Sequence, residues 1–171
     1  DTIIHPLDLS LEANLTPELI QVKASSGDLR LSVSSDQELD SLLARYDTFS
    51  QELHRQMDSL RIEQDTLRTL LPHLKMELDC GQQNPICNIL RHAIGYSFRD
   101  LSFHLLSSPA DGLVGNGHIF ALNTGAILLD SIQWRIRQEQ SRLSLDAQVA
   151  NGPKNRMVTF QSQMRVSLTS T

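Results

Sequence analysis

Apolar and polar residues alternate at every second position along most of this chain, and one long stretch with a different period interrupts them. Leu7, Leu9, Leu11 and Ala13 share one parity, with Asp8, Ser10 and Glu12 on the other. Period two gives a strand one apolar and one polar face. Asn14-Leu15-Thr16-Pro17 breaks the run, and Ile20, Val22 and Ala24 restart it. Ser25-Ser26-Gly27-Asp28 reads as a turn, and Leu29, Leu31 and Val33 follow as a third strand. Residues 1–35 are therefore expected to hold a three-strand antiparallel meander, wet on one side.

From Ser35 or Asp36, a plausible N-cap, the period shifts. Leu39, Leu42, Leu43, Tyr46, Phe49, Leu53, Met57 and Leu60 follow at spacings of mostly three and four, then Leu67, Leu70 and Leu71, until Pro72. That is a helical apolar stripe. A single helix over 36–71 would run roughly 54 Å. That length is unusual in a globular fold, so a hairpin break near Arg61 to Asp65, or a coiled-coil seam, is the alternative. The predicted contact face is Leu39, Leu42, Tyr46, Phe49, Leu53, Met57 and Leu60.

Alternation then returns. Leu74, Met76 and Leu78 form a short strand, and Cys80 to Gly95 is irregular or holds a helical turn around Cys87 to Ala93. Asp100 to Ser107, Leu113 to Asn123, Ala126 to Ile132, Trp134 to Ile136 and Leu143 to Val149 read as strands, and Val158, Phe160 and Met164 to Leu168 as closing strands. Asn151-Gly152-Pro153-Lys154-Asn155 is a loop signal. The expected fold is α+β: a mainly antiparallel β meander of about eight strands with one helical insertion at 36–71, and strands again over 73–171.

Composition enters as a filter. With 171 residues, 40% of them hydrophobic, the chain is long enough to bury a core. A net charge of −5 argues against a nucleic-acid partner. No apolar run approaches the ~20 residues of a transmembrane helix. The chain starts at Asp1 without Met and stops just after a strand pattern. It reads as a piece of a longer protein.

No arrangement for covalent chemistry emerges. His5, His54, His73, His92, His104 and His118 form no HExxH or comparable ligand pair, so neither a metal nor a cofactor is expected. Gly112, Gly115 and Gly117 run G-x-x-G-x-G, the reverse of a dinucleotide loop, and read as a hairpin or bulge. No G-x-S-x-G elbow occurs. Trp134 is expected to pack against the sheet, with an interfacial membrane anchor formed with Arg135 and Arg137 as the alternative. Cys80 and Cys87 leave three readings open: free thiols, a disulfide around the 81–86 loop in an oxidising compartment, or a catalytic or metal role. The chain is not expected to be an enzyme.

The order of elements resembles a known family. Ile4-His5-Pro6-Leu7-Asp8-Leu9-Ser10-Leu11-Glu12-Ala13-Asn14-Leu15-Thr16 is similar to a segment of the chorein-like bridge lipid-transfer proteins, the family of vacuolar protein sorting-associated protein thirteen. There a Pro-led alternating strand runs into Asn-Leu. A strand follows, here Ile20 to Ala24, then a Ser-Gly-x-Leu turn, here Ser26 to Leu29, then the strand Leu29 to Ser34. Asp36-Gln37-Glu38-Leu39-Asp40-Ser41-Leu42-Leu43 looks like that family's helix start, and Leu128-Leu129-Asp130 like its later strand ending.

The resemblance implies a segment of a rod whose antiparallel sheets curve into a gutter with an apolar floor. Glycerophospholipids would slide along it between membranes without covalent chemistry. It implies phospholipids and membrane-associated adaptor proteins as partners, and a cytoplasmic, peripheral position at organelle membranes or contact sites. The floor candidates are Leu7, Leu9, Leu11, Ile20, Val22, Leu29, Leu31, Val33, Leu101, Phe103, Leu105, Phe120, Leu122, Leu145, Val149, Val158 and Phe160. Each could equally be ordinary core. Two other functions remain open: a structural module that binds a protein partner through the 36–71 helix, and a secreted interaction protein with Cys80 and Cys87 bridged.

Overall fold

The computed structural model describes residues 8–139, 141–155 and 157–170. Nine strands form one antiparallel sheet in strict sequence order: β1 (Leu9–Thr16), β2 (Leu19–Ser26), β3 (Leu29–Ser35), β4 (Leu74–Cys80), β5 (Asp100–Ser108), β6 (Gly112–Asn123), β7 (Leu128–Glu139), β8 (Arg142–Asn151) and β9 (Phe160–Thr169). Two helices, α1 (Leu39–Asp58) and α2 (Gln64–Leu70), join β3 to β4, and α3 (Pro85–Ile94) joins β4 to β5. The architecture is mainly β with helical insertions. Ala126 to Ile136, read as two stretches of strand, falls in the single strand β7 from Leu128 on, and the eight expected strands become nine. No described helix is long and apolar enough to cross a membrane.

The meander keeps one register throughout, so parity carries across the whole sheet. Leu11 pairs with Ala24, Ala24 with Leu31, Leu31 with Leu78, and Leu78 with Phe103. Phe103 pairs with Gly117, Gly117 with Trp134, Trp134 with Ala147, and Ala147 with Met164. A second row runs Ala13, Val22, Val33, Met76, Leu105, Gly115, Ile136, Leu145, Val166. Residues paired directly across strands share a face, so one face is apolar across nine strands. The other face is polar: Lys75 pairs with Glu77 at 2.8 Å and Arg165 with Asp146 at 2.5 Å, and His118 is hydrogen-bonded to Asp100 at 2.8 Å.

The helical insertion is a hairpin. α1 ends at Asp58, and Leu60, at φ 53, turns the chain while its side chain stands 94% exposed. A left-handed leucine is costly, and the wholly buried Gln56 stabilises the turn. Its Oε1 accepts the Glu63 backbone N–H at 2.6 Å, and its own carbonyl accepts from Ser59 Oγ and from the Arg61 N–H. Arg45 of α1 donates to the carbonyls of Leu71 and Thr69, which ties α2 back along α1. The stripe read as one contact face divides. Leu42, Phe49 and Leu53 are half-buried, whereas Leu39, Tyr46, Met57 and Leu60 are exposed.

The stretch from Cys80 to Gly95 is more ordered than its irregular pattern suggested. Asn84 caps α3 by accepting the Cys87 N–H at 2.9 Å, Pro85 fills the first turn, and Gly95 ends it at φ 72.

Candidate functional site

The two helical elements sit at opposite ends of the strands, both on the apolar side. α3 covers one end: Cys80, Cys87 and Phe98 form a buried cluster, with Leu29, Leu90, Leu101 and Ile119 packed on it. At the other end, α1 leaves β3 and the chain turns back beside β7 and β9. There the Gln138 amide of β7 donates to both the carbonyl and Oε1 of Gln64, each at 3.2 Å, and the Gln64 N–H donates to Ser170 Oγ at 2.8 Å. α2 returns past the β5–β6 turn, where Arg68 donates to the Pro109 and Ala110 carbonyls, and leads into β4. The lengths agree. A 20-residue helix spans about 30 Å, and six inter-strand steps from β3 to β9 about 29 Å.

The two central rows are left uncovered between these walls. Leu31, Val33, Leu78, Met76, Phe103, Leu105, Trp134, Ile136 and Leu145 are only half-buried, and Leu11, Met164 and Val166 are exposed. The result is an apolar channel floor that crosses the strands, two rows about 7 Å apart, with α3 on one bank and α1–α2 on the other. Contiguous apolar surface left open to this extent is uncommon on a monomeric chain. At its middle β6 contributes only Gly115 and Gly117, and the Trp134 ring fills the space over Gly117.

Most of the predicted floor residues share this face. Leu9, Leu11, Ile20, Val22, Leu29, Leu31, Val33, Leu101, Phe103, Leu105, Leu145 and Val149 all have its parity. Within that set, Ile20 is buried, and Leu29 and Leu101 pack beneath α3. Phe160, at the start of β9, shares the parity of Met164. Leu7 lies outside the described residues.

Three placements differ from the expectation. Phe120 is on the polar face, its ring stacked on His118 with centroids 4.3 Å apart and Arg99 above it at 5.7 Å. Val158 precedes β9 and is 75% exposed in the β8–β9 loop. Leu122 has the parity of Phe120 and not of the floor, and pairs with Leu129 at the strand end past Ala121, which is left-handed at φ 52. Sequence parity overlooked Met76, Leu78, Trp134 and Ile136.

Both cysteines are free and buried, with no bridge between them. Burial pushes the Cys80 thiol up to about 11, and the neighbouring Cys87 adds to the shift. Burial also raises Cys87, whose Sγ donates to the Gly81 carbonyl at 3.1 Å. Both are protonated near neutral pH and poorly nucleophilic. Among the described residues no group of three His, Cys, Asp or Glu side chains could hold a metal ion.

Comparison with known protein families, with curated proteins and with solved structures returned no match.

Proposed function

We propose that this chain binds lipid acyl chains along the uncovered apolar rows, as a segment of a non-enzymatic groove that conducts glycerophospholipids between membranes. The observation that carries the reading is the pair of half-exposed apolar rows running unbroken across nine strands between two helical banks. Each acyl methylene taken from water onto such a floor contributes about 0.8 kcal/mol. A head group, which cannot be desolvated cheaply, stays at the open side. No covalent step is required. On this reading the chain works peripherally at contact sites between organelle membranes in the cytoplasm, with membrane-associated adaptor proteins as partners.

The test is solvent extraction of the purified chain followed by mass spectrometry. Glycerophospholipid is expected in the extract, and Phe103→Asp with Leu105→Asp is expected to remove it while the circular dichroism spectrum is kept. A folded chain without lipid, or a double variant that retains it, would contradict the reading.

One observation favours a second reading. Leu39, Leu43, Tyr46 and Met57 stay exposed on α1, at spacings of four, three and eleven. That is a helical face able to take a partner helix. A stoichiometric protein complex that dissociates on Leu43→Asp with Tyr46→Asp, in a chain that carries no lipid, would favour this module.

A further inference from the structure

The two banks of the channel are seated in different ways. Under α3 the seat is apolar: Cys80, Cys87 and Phe98 are buried together, and Leu29, Leu90, Leu101 and Ile119 pack on them. At the α1–α2 bank the buried side chains of the sheet are mostly polar. Ser35, Ser107 and Gln138 are each at most 5% exposed. They share one row of the channel face, in which Ser35 pairs with Ile20, Ser107 with Leu113, and Gln138 with Leu143. α1 buries a single side chain, Gln56, whose amide bonds within the hairpin, to Glu52 and Glu63. Ile20, Leu67 and Leu71 are the buried apolar side chains of this bank among the described residues. Ile20 and Leu71 sit at its root, beside Ser35 and next to Pro72.

The root and the far end of the hairpin are also held differently. It leaves β3 and returns to β4, and those strands are neighbours, so its two connections lie side by side. There His73 Nδ1 is 3.0 Å from Asp36 Oδ1, and the His73 N–H donates to Gln37 Oε1 at 3.4 Å. Both connections are extended at the helix ends, with ψ 146 at Glu38 and ψ 132 at Leu71. A cleft of about 390 Å³ lies beside them, lined by Asp36, His73, Leu74, Ser107, Ala110 and Asp111, which leaves the root room to turn. The hairpin itself is braced as one body, by Arg45 on the Thr69 and Leu71 carbonyls and by Gln56 on Glu63. Hydrogen bonds fix it to the sheet farther out. Arg68 donates to the Pro109 and Ala110 carbonyls, Gln138 donates to Gln64, and the Gln64 N–H donates to Ser170 Oγ.

Parting an apolar seal leaves hydrocarbon in water, whereas serines and glutamines that lose a partner recover one from water. A segment with few buried apolar side chains opens at a lower free energy than the core. We propose that the α1–α2 hairpin is a flap and α3 the fixed bank. The flap pivots at residues 36–38 and 71–73, and Gln64 latches it to Gln138 and Ser170. Lifting it adds the row through Ser107 and Gln138 to the floor and widens the channel by about 7 Å. On the lipid-groove reading this gives a guest an entrance from the side. The motion belongs to the lipid-free chain and is tested there, apart from that reading.

The experiment measures distances between paired spin labels on the whole, lipid-free chain. Labels at Asp58→Cys with Arg142→Cys report on the flap, and labels at Lys23→Cys with Arg91→Cys report on α3. All four positions are exposed, and both native thiols are buried. The flap pair is expected to give a short main distance and a longer minor one. Gln138→Ala, and separately Ser170→Ala, should each raise the ratio of long to short about tenfold, as loss of a hydrogen bond to a buried partner does. The circular dichroism spectrum should be unchanged, and the α3 pair should give one distance in every chain. Ser170 lies at the margin of the sheet, so its variant keeps the test sound should loss of the buried Gln138 loosen β7. A single short flap distance in all three chains would overturn the proposal. So would a long component that arises only where the circular dichroism spectrum is lost, or an α3 distance that broadens together with that of the flap.

Discussion

Trp134 occupies the space above Gly117: a Cβ added at Gly117 would fall 2.6 Å from Trp134 Cε2 and 2.6 Å from the Ser102 carbonyl oxygen. The two residues pair across β6 and β7 on the apolar face. The glycine is thus favoured by the indole lying over it and by the neighbouring backbone carbonyl, which a Cβ would crowd. Gly117→Ala is expected to lower stability by roughly 1–3 kcal/mol, as overpacking does. The measurement is urea unfolding followed by far-ultraviolet circular dichroism. An unchanged midpoint would mean that the indole swings aside freely.

Trp134 is the only tryptophan and lies at the middle of the groove floor. Its emission should therefore report occupancy. Adding short-chain phosphatidylcholine below its micelle concentration is expected to shift the emission to the blue, because acyl chains displace water from the half-exposed ring. Soluble phosphocholine, which has the head group but no chains, should leave the spectrum unchanged. A shift with phosphocholine would point to recognition of the head group instead.

The turn before α3 should make stability depend on pH. Partial burial pushes the Asp28 carboxyl up, but hydrogen bonds from Gln83, Asn84, Gly81 and Gln82 outweigh it and hold the group below its ordinary value. A carboxyl depressed in the folded state stabilises the fold above its unfolded pKa, and that contribution disappears as pH falls through the folded one. Asp28→Asn should therefore be less stable than the parent near pH 6, and the gap between their melting temperatures should close as pH falls from about 4 toward 2. Asn84→Ala, which removes a buried N-cap and an Asp28 partner, should cost about 1–2 kcal/mol at neutral pH. A gap that stays constant with pH would disprove the role given to Asp28.

The raised thiols make a kinetic prediction. Cys80 and Cys87 are buried under α3 and protonated at neutral pH, so a disulfide reagent should modify the folded chain far more slowly than the urea-unfolded chain. The unfolded chain should show two reactive thiols and gain no further mass shift on prior reduction. A thiol count that rises after reduction would reveal a bridge.

Strand parity proved readable on β3 and β5. Leu29, Leu31 and Val33 on β3, and Leu101, Phe103 and Leu105 on β5, have a single apolar parity, and the sheet register carries it across intact. β6 was misread because Gly115 and Gly117 occupy its floor positions, and Phe120 and Leu122 on the other parity then dominate the pattern. The apolar matter over those glycines comes from Trp134, a neighbour in space that no window along the chain could supply. α3 was obscured for a related reason. Ile86, Cys87 and Leu90 turn inward on one stripe, but the helix is only ten residues long and Ile89 and Ile94 stay exposed beside that stripe. Gln56, Gln64 and Gln138 are polar yet buried: the Gln56 amide accepts from the Glu63 backbone, and the Gln138 amide donates to the Gln64 backbone carbonyl and to its side-chain amide.

The strict sequential order of the strands sets how a guest would move on this floor. The channel runs along the direction of the inter-strand hydrogen bonds, so each strand contributes one step of about 4.8 Å and the nine together a path of roughly 38 Å. Successive steps differ in bulk, from Phe103 and Leu105 through Gly117 and Gly115 to Trp134 and Ile136. On the proposed reading, a hydrocarbon chain shifted by one strand would meet a floor of changing height, with β6 the low step between two high ones.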